Sequence, residues 1–265
     1  MKASTAGQGL GRLAKWALVL ALAVVIVVIL MGPGYQLGAV SLGTAFGLVF
    51  PWATYAAIGI VVVSLAGLLA SLIKRRMRAA AVFGLAAVLC GGLVFQMLEL
   101  RAAARAVPPI HDVTTDLDNP PGFAVLSPRS EEEETVVPAR DESMEALSPA
   151  ERWLAYHKAA YDDLRTLRLN LPADDAAELA AEAAREMGWE IAAVDPAAGR
   201  IEATDTTAWF GFRDDIVIRI VAVDPGVSQV DVRSVSRVGV SDLGVNAARI
   251  RSYLDMLTRM ADTPR

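Results

Sequence analysis

Long apolar runs dominate the first 100 residues of the chain, and shorter periodic patterns follow them. Three runs cover residues 13–32, 52–73 and 79–98. Each is close to the ~20 apolar residues that cross a hydrocarbon core, and none has the polar stripe of a helix at the surface of a soluble protein. The pattern predicts three transmembrane helices. The first run could instead be a cleaved signal peptide. It is longer than the apolar part of such peptides and has no Ala-x-Ala site near its end, so we interpret it as an anchor.

The periodicity changes after residue 148 to that of a folded domain. Ser148, Pro149 and Glu151 are typical of a helix start, and the next segment, residues 164–171, alternates as a strand does. A second helix follows, for which Asp174 is a candidate cap and Gly188 a stop.

Four strands and a helix complete the predicted domain. The turn sequences DPAAG, at residues 195–199, and DPGV, at 224–227, separate strands with alternating apolar positions. A clean apolar stripe then indicates a helix from Leu243 to about Met260, with Asp242 as its candidate N-cap. This order predicts an antiparallel sheet of about five strands with two helices on one face.

The fold class is therefore an α-helical membrane anchor plus an α+β outer domain. We expect the anchor to occupy residues 1–100, an irregular proline-rich and acidic segment residues 101–148, and the α+β domain residues 149–265. The four consecutive glutamates at 131–134 favour a solvated loop, with a charged binding strand as the alternative.

Charge divides the chain in the same way. The first 100 residues contain seven Lys or Arg and one acid, whereas the remainder contains eighteen Lys or Arg and twenty-nine acids, a net charge of −11. So acidic an outer domain argues against a nucleic-acid partner. Its lack of cysteine excludes a disulfide framework, because the single cysteine, Cys90, lies in the third apolar run.

The short loops predict an orientation. Lys2, Arg12 and Lys15 lie before or at the start of the first run, and the sequence KRRMR, at residues 74–78, joins the second run to the third. The loop at 33–51 has no charge. Because Lys and Arg favour the cytoplasmic side, we expect the amino terminus and the KRRMR turn inside and the outer domain on the periplasmic or extracytoplasmic side.

Four phrases in the outer part of the chain are familiar together. They are PPIHDVTTDLDNPPGF, HKAAYDDL, GRIEATDTTAWFGFRDDIVIRI and RSVSRVGVSDLGVNAARIRSYL. In this order and spacing they resemble the bacterial family catalogued as domain of unknown function 1499, from about Val107 to the end. The membrane part resembles members with a three-helix anchor. One departure is Tyr161-Asp162-Asp163, where members tend to have Tyr-Pro-Asp. The resemblance implies no activity.

The first of these phrases contains candidate metal ligands. His111 precedes Asp112, Asp116 and Asp118. A catalytic zinc site uses about three protein ligands on rigid elements, however, and this phrase has one histidine in a proline-rich tether. We therefore expect no metal or other cofactor, and we interpret the stretch as a strap laid from the membrane onto the folded domain.

Aromatic residues crowd the sequence between two predicted strands. Trp209, Phe210 and Phe212 surround a glycine there. Packing at the end of the sheet is one interpretation; the other is an apolar lip that touches lipid or a ligand, since Trp is favoured at membrane interfaces.

The densest polar phrase contains the candidate ligand-binding residues. Arg233 and Arg237 are expected on one strand face, and Asn246 and Arg249 on one helix side, so the three arginines could converge on an anionic group near a helix start. The alternative is that they pair with carboxylates and hold the helix on the sheet.

These observations lead to one functional hypothesis and two alternatives. The hypothesis is a bacterial inner-membrane protein whose periplasmic domain binds an envelope component or partner, without a defined activity. The alternatives are a protein that handles lipid or another amphiphile in a pocket between sheet and helices, and a hydrolase that uses His111 with the neighbouring acids.

Overall fold

The computed structural model describes residues 2–129 and 137–263, and side chains from residue 9 onward. The acidic run at 131–134 lies outside the described residues. The chain divides into two compact units, one up to Ala103 and one from Ala104 on.

The first unit consists of long apolar helices. Helix α1 is Lys2–Gln36, α2 is Phe50–Ile73 and α3 is Met77–Ala106, and a π-helical segment, Gly43–Val49, leads into α2. Three stretches are long and apolar enough to cross a membrane: Gly9–Gln36, Gly43–Ile73 and Met77–Ala106. The chain is thus a multi-pass, membrane-anchored protein, as the apolar runs predicted.

The predicted loop at 33–51 is shorter than expected. Helix α1 continues through Pro33 to Gln36, and helical structure resumes at Gly43. The loop sequence is apolar and uncharged, and backbone groups near a bilayer are best satisfied by hydrogen bonds within a helix.

The second unit is built on an antiparallel sheet. In the described residues it contains six strands: β1 (Asp112–Thr114), β2 (Leu167–Leu169), β3 (Glu190–Asp195), β4 (Arg200–Thr206), β5 (Arg213–Asp224) and β6 (Val227–Ser236). The spatial order is β1-β6-β5-β4-β3, and β2 also pairs with β6. Strands β1 and β2 therefore share one side of β6, at Arg233–Val235 and Ser228–Val230 respectively.

The α+β prediction is confirmed, and the sequence reasoning missed the short strand β1 and the short helix at Glu142–Glu145. The helices that follow the anchor are α4 (Glu142–Glu145), α5 (Pro149–Ala160), α6 (Ala173–Glu186) and α7 (Val245–Asp262). Helix α5 begins as predicted, because Ser148 and Glu151 form a reciprocal capping box.

Two helix starts differ from the prediction. Helix α6 begins after Pro172 without a side-chain cap, so Asp174 lies inside its first turn, where its charge still suits the helix dipole. Helix α7 begins at Val245 after Gly244, two residues later than expected. Asp242 nevertheless accepts hydrogen bonds from the backbone N–H groups of Gly244 and Asn246, both at 2.9 Å.

Helices α6 and α7 cover one face of the sheet. Fully buried side chains fill the space between them and the strands, among them Leu179, Ile216, Ile218, Ile250 and Tyr253. We call this side the helix face. Because side chains alternate along a strand, the residues between these apolar positions point to the opposite face.

The hairpin from β3 to β4 depends on a glycine. Gly199 has φ of 59°, and a Cβ added there would lie 2.1 Å from the carbonyl oxygen of Ile220. The backbone oxygen of Gly199 accepts a 2.7 Å hydrogen bond from the N–H of Ile220. The turn is therefore pressed directly against strand β5.

We predict that Gly199→Ala lowers the free energy of unfolding of the outer unit by at least about 2 kcal/mol, because it adds a clash with backbone to an unfavourable φ. Gly226→Ala is the matched control: its φ is 82°, but nothing lies within 4 Å of the added Cβ. It should cost only about 1 kcal/mol. Pulse proteolysis of the full chain in detergent and urea measures both values, and equal losses would contradict the role of the contact with Ile220.

Candidate functional site

The second face of the sheet carries three buried carboxylates, those of Glu202, Asp215 and Asp231. Residues 115–129, which we call the strap, cross this face after strand β1. Arg219 donates to the backbone oxygen of Asn119 at 2.8 Å, and Arg129 donates to the backbone oxygens of Ser236 and Gly239 at 2.5 and 2.6 Å. The part of the phrase PPIHDVTTDLDNPPGF from Thr115 onward lies on this face, as the strap interpretation expected, and we call the covered side the strap face. That the strap is laid from the membrane stays a prediction.

Glu202 fastens the middle of the strap. Its carboxylate has no exposed surface and accepts hydrogen bonds from three consecutive backbone N–H groups, those of Ala124, Val125 and Leu126, at 2.6 to 3.2 Å. Arg200 lies 3.3 Å from the same carboxylate. Hydrogen bonds to an ionised acceptor are about twice as strong as neutral ones, so a single strand residue orders a segment nearly eighty residues away.

Arg219 joins the start of the strap to the sheet. Its guanidinium is 2.7 Å from both Asp116 and Asp231. The hydroxyls of Thr115 and Thr166 donate to the same Asp231 carboxylate at 3.0 and 2.5 Å. Burial alone would raise the pKa of Asp116, but the hydrogen bonds it accepts, from the backbone of Asn119 and from Arg219 among others, lower it overall.

Two of the predicted ligand-binding arginines lie on the strap face. Arg233 makes a two-pronged contact with Asp112, at 3.0 and 2.7 Å, and lies 5.9 Å from the ring centre of Phe123. Arg237 makes a similar contact with Asp215, at 2.8 and 2.9 Å, and this hydrogen bonding raises the pKa of Arg237.

The other two predicted residues lie on the helix face. Arg249 contacts Asp214 at 2.6 Å and Asp205 at 2.8 Å. Its guanidinium also donates to the side-chain oxygen of Asn246, at 2.5 Å. Asn246 is fully buried and accepts a second hydrogen bond, at 2.7 Å, from the hydroxyl of Ser234.

The structure therefore does not bring the three arginines together. Asp214 and Asp215 are adjacent on β5 and point to opposite faces, so Arg249 and Arg237 are separated by the sheet. Each predicted arginine has a carboxylate partner, which is the arrangement of the structural alternative. Binding of an anionic ligand by Arg233, Arg237, Asn246 and Arg249 stays a prediction, and such a ligand would have to compete with these carboxylates.

The aromatic residues occupy the loop between β4 and β5. Phe210 is buried and stacks on Phe212 with ring centres 5.0 Å apart, while Trp209 packs edge-on against Phe210 and is 43% exposed. The loop thus combines both interpretations: Phe210 packs at the sheet end, and Trp209 presents apolar surface. Contact of this lip with lipid or a ligand stays a prediction.

Both histidines are buried. Nδ1 of His111 lies 3.4 Å from the backbone oxygen of Val240, and Nε2 of His157 accepts a 3.1 Å hydrogen bond from the N–H of Thr114. Burial lowers the pKa of both imidazoles, and the nearby Arg129 lowers that of His111 further. His157 is therefore a neutral acceptor that holds strand β1.

The candidate metal ligands separate in the fold. Asp112 binds Arg233 and Asp116 binds Arg219, so neither is directed to His111. Within residues 2–129 and 137–263, no group of three or more His, Cys, Asp or Glu side chains could hold a metal ion.

An open cleft lies beside the start of the strap. It has a volume of about 550 Å³ and is lined by the strap, the end of α5 and the segment before β2. Its wall includes two cations, Lys158 and Arg165, and the carboxylates of Asp118 and Asp162. All four are exposed and, unlike Arg219, Arg233 and Arg237, none forms an ion pair within the part of the chain that the structure describes.

A known protein family matches most of the folded region from β1 to α7. The family described as "Protein of unknown function (DUF1499)" matches residues 112–257. The chain belongs to this family. No curated protein matches it. The matched region begins at the first residue of β1, so it includes the strap as well as the sheet, and it excludes the membrane helices. The match to this DUF1499 family therefore covers the strap.

Sequence reasoning missed the residues that hold the strap. Glu202, Arg219 and Asp231 stand between apolar residues on strands, a position usually assigned to solvent. Alternation along a strand shows that these side chains share a face, but it does not reveal which segment covers that face.

We predict that Glu202→Gln loosens the strap. The substitution removes a charge and replaces one acceptor oxygen by a donor, leaving at least one strap N–H without its partner, at a cost of about 2–3 kcal/mol. Limited trypsin digestion of the full chain in detergent should cut faster after Arg129, because loss of the Glu202 contacts frees residues 124–126. Glu178→Gln, on the exposed side of α6, is the matched control. Equal cleavage rates in the two variants would show that Glu202 does not hold the strap.

Proposed function

We propose that this DUF1499 protein is an inner-membrane protein of a bacterial envelope. In this proposal residues 1–100 form the anchor, 101–148 connect it to the domain at 149–265, the amino terminus is cytoplasmic and the outer domain is periplasmic. The supporting observation is the contrast between the basic KRRMR turn after α2 and the chargeless loop after α1.

The proposed role of the outer domain is to bind an envelope component or partner. The single observation that carries it is the charge around the cleft. Arg219, Arg233, Arg237 and Arg249 are each paired with carboxylates inside the fold. Lys158, Arg165, Asp118 and Asp162 face the cleft and form no such pairs among residues 2–129 and 137–263. Charges of both signs at one opening suit a partner that carries both an anionic and a cationic group, such as a zwitterionic headgroup or a polar peptide segment.

The two alternatives receive less support. An amphiphile pocket between sheet and helices would need space that Leu179, Ile250, Tyr253 and Leu257 occupy, each at most 1% exposed. A hydrolase based on His111 would need that side chain to reach a substrate, yet it is 2% exposed and separated from Asp112 and Asp116 by their arginine pairs.

Orientation can be tested with reporter fusions. We predict that a reporter active only in the periplasm is active when fused after Arg265 and inactive when fused at Arg76, because the basic turn keeps residue 76 in the cytoplasm. Immunoblotting for equal amounts of both fusions is the control. The reverse pattern of activity would place the outer domain in the cytoplasm.

Binding at the cleft can be tested with the full chain purified from its native membrane. We predict that mass spectrometry finds a co-purifying species that is lost from the double variant Lys158→Ala with Arg165→Ala, because these cations supply the unpaired charge. The matched control is Arg185→Ala with Arg259→Ala, two exposed arginines on α6 and α7. The same set of species in both preparations would reject the cleft as the binding site.

A further inference from the structure

One end of the sheet is defined by the point where the chain arrives from helix α3. Strand β1 starts at Asp112, which pairs with Val235 near the end of β6. Strand β4 ends at Thr206 opposite Arg213, the first residue of β5. The loops at 207–212 and 237–244 therefore lie at the same end of the sheet as residues 107–111, and we call it the arrival end.

The chain at the arrival end is close to a membrane-spanning segment. The third candidate span ends at Ala106, so Val107 is one residue beyond it. Arg140 donates to the backbone oxygens of Ala104 and Arg105, at 3.1 and 3.2 Å, and to that of Val107. A cation on these carbonyls stabilises the last turn of a helix, so the short connection is held rather than loose.

The loop at 237–244 packs directly on this connection. The hydroxyl of Ser241 donates to the backbone oxygen of Pro108 at 3.3 Å, and the N–H of Asp242 donates to that of Ile110 at 3.1 Å. The buried carboxylate of Asp242 then organises the start of α7, although burial raises its pKa. The position of the loop relative to the end of the span is thus fixed within the outer unit.

This fixed loop presents an apolar surface. Val240, Leu243 and Val245 are 43%, 38% and 42% exposed, within six residues of one another. Leu243 has φ of 56°, a left-handed conformation that costs a leucine roughly 1–2 kcal/mol. Asn would adopt this conformation more readily and would suit a water-exposed position. A leucine that adopts a strained conformation and still leaves 38% of its surface exposed points to an interaction outside the fold.

Charge at the arrival end matches a lipid surface. Arg105 and Arg213 are exposed and form no ion pair within residues 2–129 and 137–263. The carboxylates of Asp205, Asp214 and Asp215, by contrast, are matched by Arg249 and Arg237. Apolar side chains flanked by cations are typical of segments that lie at the boundary between headgroups and acyl chains.

We propose that the arrival end docks on the bilayer that holds the anchor, with Val240, Leu243 and Val245 in the headgroup layer. The occupant is the lipid surface, because the apolar loop is bonded to the chain within five residues of the end of the span. Trp209, in the neighbouring loop, extends the same surface. The proposal rests on the membrane anchoring of the proposed function but not on its orientation, since the loop would meet a bilayer surface on either side.

The test measures the depth of single positions in the membrane. In a Cys90→Ala background, the full chain carries Val240→Cys, Leu243→Cys or Val223→Cys, is labelled with a small fluorophore and is reconstituted into phosphatidylcholine–phosphatidylglycerol vesicles. Val223 is the matched control, because it is 39% exposed and lies at the opposite end of β5. We expect brominated acyl chains to quench the labels at 240 and 243 at least about twofold more than the label at 223, and aqueous iodide to show the opposite order.

Three outcomes count against the proposal, and a fourth separates it from the proposed orientation. Labels at 240 and 243 that iodide reaches as easily as the label at 223 would show a loop in water. Labels shielded from iodide but not quenched by brominated lipid would show a protein covering the loop. Leu243→Asn should reduce lipid quenching at position 240 without lowering the midpoint of unfolding in urea, and unchanged quenching would remove Leu243 from the surface. Inverted reporter fusions with intact quenching would reject the orientation and leave the docking surface standing.

Discussion

The carboxylate of Glu202 lies in the middle of the sheet with no exposed surface, and an uncompensated charge there would remove several kcal/mol from a stability that is small for any domain. Three strap N–H groups and Arg200 supply the compensation. The dependence is mutual: the carboxylate needs the strap to stay buried, and the strap, which has no regular secondary structure, needs the carboxylate to satisfy its backbone. Much of the strap face is organised around these hydrogen bonds between Glu202 and the strap.

The same requirement explains why the arginines of the sheet are not free to act. A second layer of helices could have covered this face with apolar side chains. A short irregular strap cannot exclude water to the same degree, so the face uses ion pairs with two hydrogen bonds each, such as Arg233 with Asp112 and Arg237 with Asp215. Ion pairs of this kind require a specific geometry, and they therefore fix one alignment of the strap on the sheet. Binding is therefore better sought where charges lack partners, at the cleft.

The two proposed binding surfaces are places where charged or apolar side chains are exposed. At the cleft, Lys158 and Arg165 carry charges that form no ion pair within the described residues. At the arrival end, apolar side chains near Leu243 are exposed. A domain that docks by one end would present its cleft at a defined height above the lipid, which suits the capture of a component of the same membrane or its neighbourhood.

The sequence by itself determined features that depend on neighbours along the chain. Apolar runs of sufficient length specify the membrane helices, Ser148 and Glu151 specify the start of α5, and Gly199 marks a turn that favours glycine. Long-range pairing was decided only by the tertiary structure. Arg233 meets Asp112 across 121 positions of sequence, and Glu202 meets Ala124 across 78. Asp214 and Asp215 are neighbours on β5 and point to opposite faces, so their partners Arg249 and Arg237 also lie on opposite faces. Many carboxylates were available to each arginine, and only the register of the strands selects among them, because hydrogen bonds of this strength act over about 3 Å and carry no signature in local sequence.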